Sequence, residues 1–361
     1  MRALCHISAD ALIHNYSRFK IRSHSALIIP VVKANAYGHG AIPVMKILRE
    51  DFEIPLVAVA TLEESQEVAR VYPDVDILVF SRIFPHELND LPPRAIGTIT
   101  SWEDYVQLDR AATRPISVHL NVNTGMNRLG LAPDEVLAVL KHTSRYLNIT
   151  GVYSHLSSAD TPNEVSVLKQ KHTFNQLCDR LNEKGFEGLK HLSNSAGILT
   201  HPELSYDAIR LGIGLYGYDT TPEQKFLADL KPVMTVTAPL VRQSILSAGE
   251  PVSYGETWRT STKSRLGTLR IGYADGYRRA LSNRGLVTCE GYEFPVVGTV
   301  TMDHIMIDLG ETDVKPGQYF TVLGGKNKNT AVAVVSQRLG TIPYEICCGI
   351  SPRVERVYDD E

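Results

Sequence analysis

The chain has 361 residues, 43% of them hydrophobic and 21% charged, with a net charge of −3. That is the make-up of a soluble globular chain of roughly two domains or one large one, and it offers no global field for nucleic acid or an anionic membrane. No segment approaches bilayer-spanning length, MRALCHISADALIHNYS lacks the apolar core of a signal peptide, and Cys5, Cys178, Cys289, Cys347 and Cys348 form neither a disulfide framework nor a zinc motif, so a reducing cytoplasmic location is expected.

In chain order, apolar β-branched runs alternate with helical patterns. Strands are predicted at LIIPVVKA (27–34), PLVAVA (55–60), DILVF (76–80), RAIGTIT (94–100), ISVHLNV (116–122), ITGVYSHL (149–156), KHLSNSA (190–196) and AIRLGIGLYG (208–217). Helices are predicted at 61–72, 101–112, 132–146 and 165–185. Their start signals are Thr61 and Ser101 ahead of acidic first turns, and Pro133. Eight such units before about Lys231 argue for a (β/α)8 barrel over 8–228; a doubly wound sheet is the rival. From 229 the texture becomes β-rich, with 329–340 the only helical pattern seen there. Residues 229–361, joined by 1–7, are expected to form a mainly-β second domain.

Active sites of such barrels lie at the C-terminal ends of the strands. Those ends carry Lys33 and Tyr37, Arg128, His155, Asn194 and Ser195, and Arg210. A lysine ending an apolar strand is by itself a surface residue as readily as a covalent catalyst. Lysine, tyrosine, histidine, serine and two arginines on one rim point to an anionic ligand.

VVKANAYGHG resembles the pyridoxal-phosphate lysine motif of the alanine racemase family. NTGMNRLG, SHLSSAD, HLSNSAG, RLGIGLYG, VSYGETW, IGYADGYRR and GTVTMDHIMIDL resemble that family's other signatures, in the family's order across essentially the whole chain. The resemblance implies a barrel followed by a β domain, pyridoxal 5'-phosphate as cofactor, and a two-base interconversion of L- and D-alanine supplying peptidoglycan; a racemase of wider range (serine or others) is the alternative. It implies Lys33 as the Schiff-base lysine and one base, and Tyr254 as the other base. A phenol, ordinarily near pKa 10, is a poor base without help, which His155 would give.

By the same resemblance Arg210 faces the pyridine nitrogen and, holding its proton, weakens the ring as an electron sink; related barrel decarboxylases place a carboxylate there. Tyr37, Ser195 and the Gly212 and Ile213 amides would hold the phosphate, with Asn194 beside them. Arg128 and the Met302 backbone would meet the substrate carboxylate. Asp160, Tyr273 and Arg279 would line the passage to the site. Tyr254 and Met302 would come from a partner subunit, making composite sites in a homodimer. Neither a metal, nor nucleic acid, nor a membrane is expected.

Three positions depart from the family pattern. Asn121 stands where many relatives carry a carbamylated lysine, Thr299 where an arginine is common, and Pro352 where many have a tyrosine.

Overall fold

The computed structural model describes residues 1–162, 164–221 and 226–359. The chain divides into two compact units. One comprises Asp10–Ala36 and Ala41–Lys231; the other comprises Met1–Ala9, Tyr37–Gly40 and the chain from Pro232 onward. The seam therefore falls at 231/232 where sequence reading places it at 228/229, and the last two residues of the expected second domain lie outside the described ones.

The first unit is a barrel of eight parallel strands: Leu27–Pro30, Leu56–Val59, Asp76–Arg82, Ala95–Ile99, Ile116–Asn121, Leu147–Tyr153, Leu189–His191 and Ala208–Leu211. From Leu56–Val59 onward each pairs with the next, and Ala208–Leu211 pairs back to Leu27–Pro30. The remaining gap is bridged by Val31 and Ala58, where Val32 N–H donates to Ala58 O at 2.9 Å. Strands covered on both faces need unbroken apolar runs, and every residue of Leu56–Val59 and Ala95–Ile99 is buried. The helix Leu62–Val71 opens on a capping box between Thr61 and Glu64, and Trp102–Ala111 on the Ser101 side chain.

Several predicted elements are too long. The helix from Pro133 ends at Lys141, not Tyr146, because Ser144 Oγ accepts from the Tyr146 and Leu147 N–H groups and draws that backbone out of a helix. The runs 27–34, 190–196 and 208–217 end as strands at Pro30, His191 and Leu211. Beyond those points the polar residues turn away, and Ser195–Thr200 is a short helix capped by Asn194 Oδ1 on Gly197 N–H at 2.8 Å.

In the second unit Leu4–Ser8 pairs antiparallel with Met234–Leu246 and parallel with Glu355–Asp359. The long strand Met234–Leu246 also pairs with Tyr319–Gly324 and, past a bulge, with Ser264–Leu269, which carries Ile305–Gly310. Val332–Leu339 is helical where the sequence predicts it. A second helix, Pro343–Cys348, has no counterpart in the sequence reading; six residues are too few for a periodic stripe, and only Pro343 at its first turn marks it. No disulfide joins any two of the five cysteines. No helix among the described residues is long and apolar enough to cross a membrane.

Candidate active site

Lys33 follows the first barrel strand at the place where the ring of strands is bridged. From Ala34 the backbone is left-handed: Ala34, Asn35, Ala36 and Tyr37 have φ of 51°, 52°, 54° and 54°. Such a conformation costs a non-glycine residue roughly 1–2 kcal/mol, so the turn needs outside support. Ala34 N–H donates to Glu64 Oε1 at 2.6 Å, Ala41 N–H to Asn35 Oδ1 at 2.8 Å, and Ala36 N–H to Val32 O at 2.7 Å.

The Lys33 amine lies 5.8 Å from the centre of the Phe80 ring, which neighbours Tyr153 at 6.1 Å. Tyr153 stacks on His191 at 5.0 Å and sits under the Arg210 guanidinium at 5.2 Å. These contacts join Lys33 to Arg210 across the mouth of the barrel.

Arg210 is 3% exposed. Its NH2 donates to Ser154 O at 2.6 Å, Leu192 O at 2.9 Å and His155 Nδ1 at 3.1 Å; its NH1 donates to His191 Nδ1 at 2.8 Å. All of these acceptors are neutral, and Arg210 Nε makes none of the hydrogen bonds formed among the described residues. Burial pulls the guanidinium down to about 10, so it stays charged at neutral pH.

That permanent donor dictates the imidazoles around it. His191, accepting at Nδ1, carries its proton on Nε2 and donates it to His119 Nδ1 at 3.1 Å; His119 in turn is protonated on Nε2. His155 accepts at Nδ1 and presents Nε2–H. Burial first, then the positive charges of Arg210, Arg128 and Lys33, hold His155 down to about 3. Three cations from three strand ends thus act on one neutral ring. Burial and Arg210 hold His119 down to about 3 and His191 well below its ordinary value.

Ser195 Oγ accepts from the amides of Gly212 at 3.0 Å and Gly214 at 3.1 Å. The Gly212 N–H is thus spent on Ser195, whose hydroxyl hydrogen remains to be donated elsewhere. A Cβ on Gly214 would stand 2.5 Å from Phe19 Cζ and 3.1 Å from Ser195 Cβ, so no side chain fits there. Ile213 is buried.

Arg128 is exposed, at the end of a loop tied by Asn123: Asn123 Oδ1 accepts from Gly125 N–H at 3.0 Å and Asn127 N–H at 3.1 Å. Gln170 fastens this loop to the next strand end, donating to Thr124 Oγ1 at 3.0 Å and His155 O at 2.8 Å. Asn121 is partly buried and pairs across the sheet with Tyr153; Asp160 is exposed.

The second unit carries the other predicted residues. Tyr254 is 74% exposed, yet its backbone is held: Thr299 Oγ1 donates to Tyr254 O at 2.8 Å, and Ser253 Oγ to Thr299 O at 2.6 Å. Met302 and Tyr273 are exposed neighbours, linked through Ala274 N–H to Met302 O at 3.0 Å and Tyr273 N–H to Thr301 O at 3.0 Å. Arg279 and Pro352 are exposed as well. Tyr37 is buried with its ring 5.8 Å from Tyr344.

Sequence reasoning passed over Glu64, Phe80, His119, Tyr153, Gln170 and His191. Tyr153 and His191 lie in or beside the quoted SHLSSAD and HLSNSAG motifs, at strand positions whose inward direction was the available signal.

A lysine amine, a charged guanidinium with a spare Nε–H and a serine hydroxyl backed by two amides, with neutral imidazoles between, suit a flat anionic ring with an aldehyde and a phosphate. Pyridoxal phosphate has that chemistry.

Residues 7–220 match the sequence profile of the alanine racemase N-terminal domain, and residues 233–358 that of the C-terminal domain. An alanine racemase of Halothermothrix orenii is 37% identical over 98% of this chain and 96% of its own. The solved alanine racemase of Bacillus anthracis with bound L-Ala-P superposes with a TM-score of 0.91 at 31% identity, over 99% of this chain and 95% of that one. That of Bartonella henselae with covalently bound pyridoxal phosphate does so at 0.87 and 30% identity, over 99% and 100%.

Proposed function

The chain belongs to the alanine racemase family and interconverts L- and D-alanine with pyridoxal phosphate, and we propose that Lys33 and Tyr254 are its two bases and the residues around Arg210 its cofactor seat. The observation that carries the assignment is His155, hydrogen-bonded to a buried arginine whose acceptors among the described residues are all neutral, and lying within the fields of Lys33 and Arg128.

The cofactor, when bound, supplies a covalent seat for the substrate amine and a sink for the electrons left when the α-proton departs. Lys33 would hold it through Nζ, Arg210 Nε–H would face its ring nitrogen, and Ser195, Tyr37 and the Gly212–Ile213 backbone would surround its phosphate, with Asn194 shaping that loop as a helix cap. Arg210 keeps its proton and so does not protonate that nitrogen, which limits charge build-up on the ring and favours return of the proton to carbon. Arg128, with the Met302 backbone, would orient the substrate carboxylate. Lys33 Nζ would take or return the α-proton on one face and Tyr254 Oη on the other. His155, neutral and carrying Nε2–H, can donate to a phenolate oxygen and so support a tyrosine that has given up its proton.

Tyr254, Met302 and Tyr273 are 74%, 52% and 42% exposed. Three exposed apolar side chains among the predicted site residues favour a homodimer in which the partner's Tyr254 completes the site, with Asp160, Tyr273 and Arg279 lining the passage to it. The proposed setting is the cytoplasm, and the proposed use of the D-alanine is cell-wall synthesis.

Borohydride reduction of the yellow holoenzyme is expected to fix cofactor on Lys33; label on another lysine refutes the assignment. Mixing Lys33→Ala subunits with Tyr254→Phe subunits tests the composite site. Sites built from two subunits regain one intact pair per mixed dimer, whereas sites built within one subunit stay inactive.

A further inference from the structure

Glu64 makes more hydrogen bonds than a helix cap requires. As the third residue of its helix it completes a capping box: Glu64 N–H donates to Thr61 Oγ1 at 3.3 Å, while Glu64 Oε2 accepts from Thr61 N–H at 3.3 Å and Ala60 N–H at 2.7 Å. Its other oxygen, Oε1, leaves the helix and accepts from Ala34 N–H at 2.6 Å. One carboxylate therefore bridges the end of the second barrel strand and the residue after Lys33.

The peptide that carries Ala34 N–H also carries the Lys33 carbonyl. Peptide planarity means that holding this N–H fixes the plane leaving Lys33; with the plane entering it held through Val32 O, φ and ψ of Lys33 are set, and with them the direction of its Cα–Cβ bond. The turn beyond it is left-handed through four non-glycine residues. Val32 O and Ala41 N–H, which also support it, come from the same stretch of chain, whereas Glu64 ties it to another strand end. A hydrogen bond to a charged carboxylate is the stronger kind.

We infer that Glu64 is a positioning residue for the Lys33 amine, locking the left-handed turn so that Nζ is aimed before the cofactor arrives. This rests on Lys33 being the cofactor lysine.

Thr61→Ala supplies the control. It removes the Thr61 half of the same cap and leaves the carboxylate bridge to Ala34. Apo-protein of the wild type, Glu64→Ala, Glu64→Gln and Thr61→Ala would be titrated with pyridoxal phosphate, with the absorption band, its pH midpoint and the thermal melting point recorded. Loss of one charge-assisted hydrogen bond is expected to weaken cofactor binding by about 10-fold in Glu64→Ala, with a moved band or midpoint. Glu64→Gln, keeping one acceptor oxygen, should fall between, and it is the variant read if Glu64→Ala does not fold. Thr61→Ala should melt earlier yet bind and absorb as wild type. Glu64 variants that match Thr61→Ala in affinity and spectrum overturn the inference. Borohydride label missing from Lys33 in the wild type overturns both it and the lysine assignment beneath it.

Discussion

Arg210 is 3% exposed and Tyr254 is 74% exposed, and the two are held by different means. The Arg210 guanidinium is fixed through carbonyls and imidazoles of two neighbouring strand ends within one barrel. Tyr254 is held at its backbone carbonyl by Thr299, which Ser253 anchors in turn, while its ring is exposed. A buried charge without an anionic partner is tolerated only when its donors are nearly all used. An exposed phenol needs no such accounting, and its setting is left to whatever covers it. Altering the first region should therefore disturb folding and chemistry together, and altering the second should disturb chemistry alone.

The largest separation of the two is expected from Tyr254→Phe. If Lys33 and Tyr254 serve opposite faces, abstraction from L-alanine should fall by about 100-fold or more, and abstraction from D-alanine far less, with the melting point unchanged. Solvent-deuterium exchange started from each enantiomer measures this, and equal losses contradict two separate bases.

Next is the pH dependence of stability. His119, held down to about 3, and His191, held well below its ordinary value, resist protonation in the fold and regain a pKa near 6.5 on unfolding. The unfolded chain then binds more protons, so their contribution is intact above about pH 6.5 and drains away as pH falls toward 3. Each proton taken up steepens the loss by about 1.4 kcal/mol per pH unit. Urea unfolding at pH 7, 6, 5 and 4 should show the slope, and His119→Asn should reduce it by one proton's worth; Tyr254→Phe should leave it untouched.

A smaller effect concerns Arg128. Asn121 cannot orient it by charge, so a halide bound between the two is expected to raise activity at fixed ionic strength, and bromide should appear there by anomalous scattering. Activity indifferent to chloride replaced by a bulky anion leaves the Asn121 amide as the sole support.

The smallest expected change is in Thr299→Val, which removes one hydrogen bond to Tyr254 O, worth about 1 kcal/mol. Turnover should drop a few-fold in both directions of racemisation with cofactor binding unchanged. A loss of cofactor instead would show that the two regions are less independent than their exposures suggest.

Alternation of β-branched runs with capped helices determined the barrel from sequence, because covered parallel strands and helix starts each demand particular residue types locally. The ordered motifs likewise placed Lys33, His155, Ser195 and Arg210 at strand ends. Only the tertiary structure decided what those residues touch. Glu64 stands in the sequence as no more than part of the acidic first turn after Thr61; one of its oxygens reaches Ala34, 30 residues earlier. The Gly212 amide reads as a ligand donor until Ser195 Oγ is found to accept it. His119 and His191 lie 72 positions apart, and their tautomers follow from a guanidinium on a third strand. Local sequence sets backbone preference and burial, whereas the partner of a polar atom depends on which strands the closed ring brings side by side, and that is settled by the packing of the whole unit.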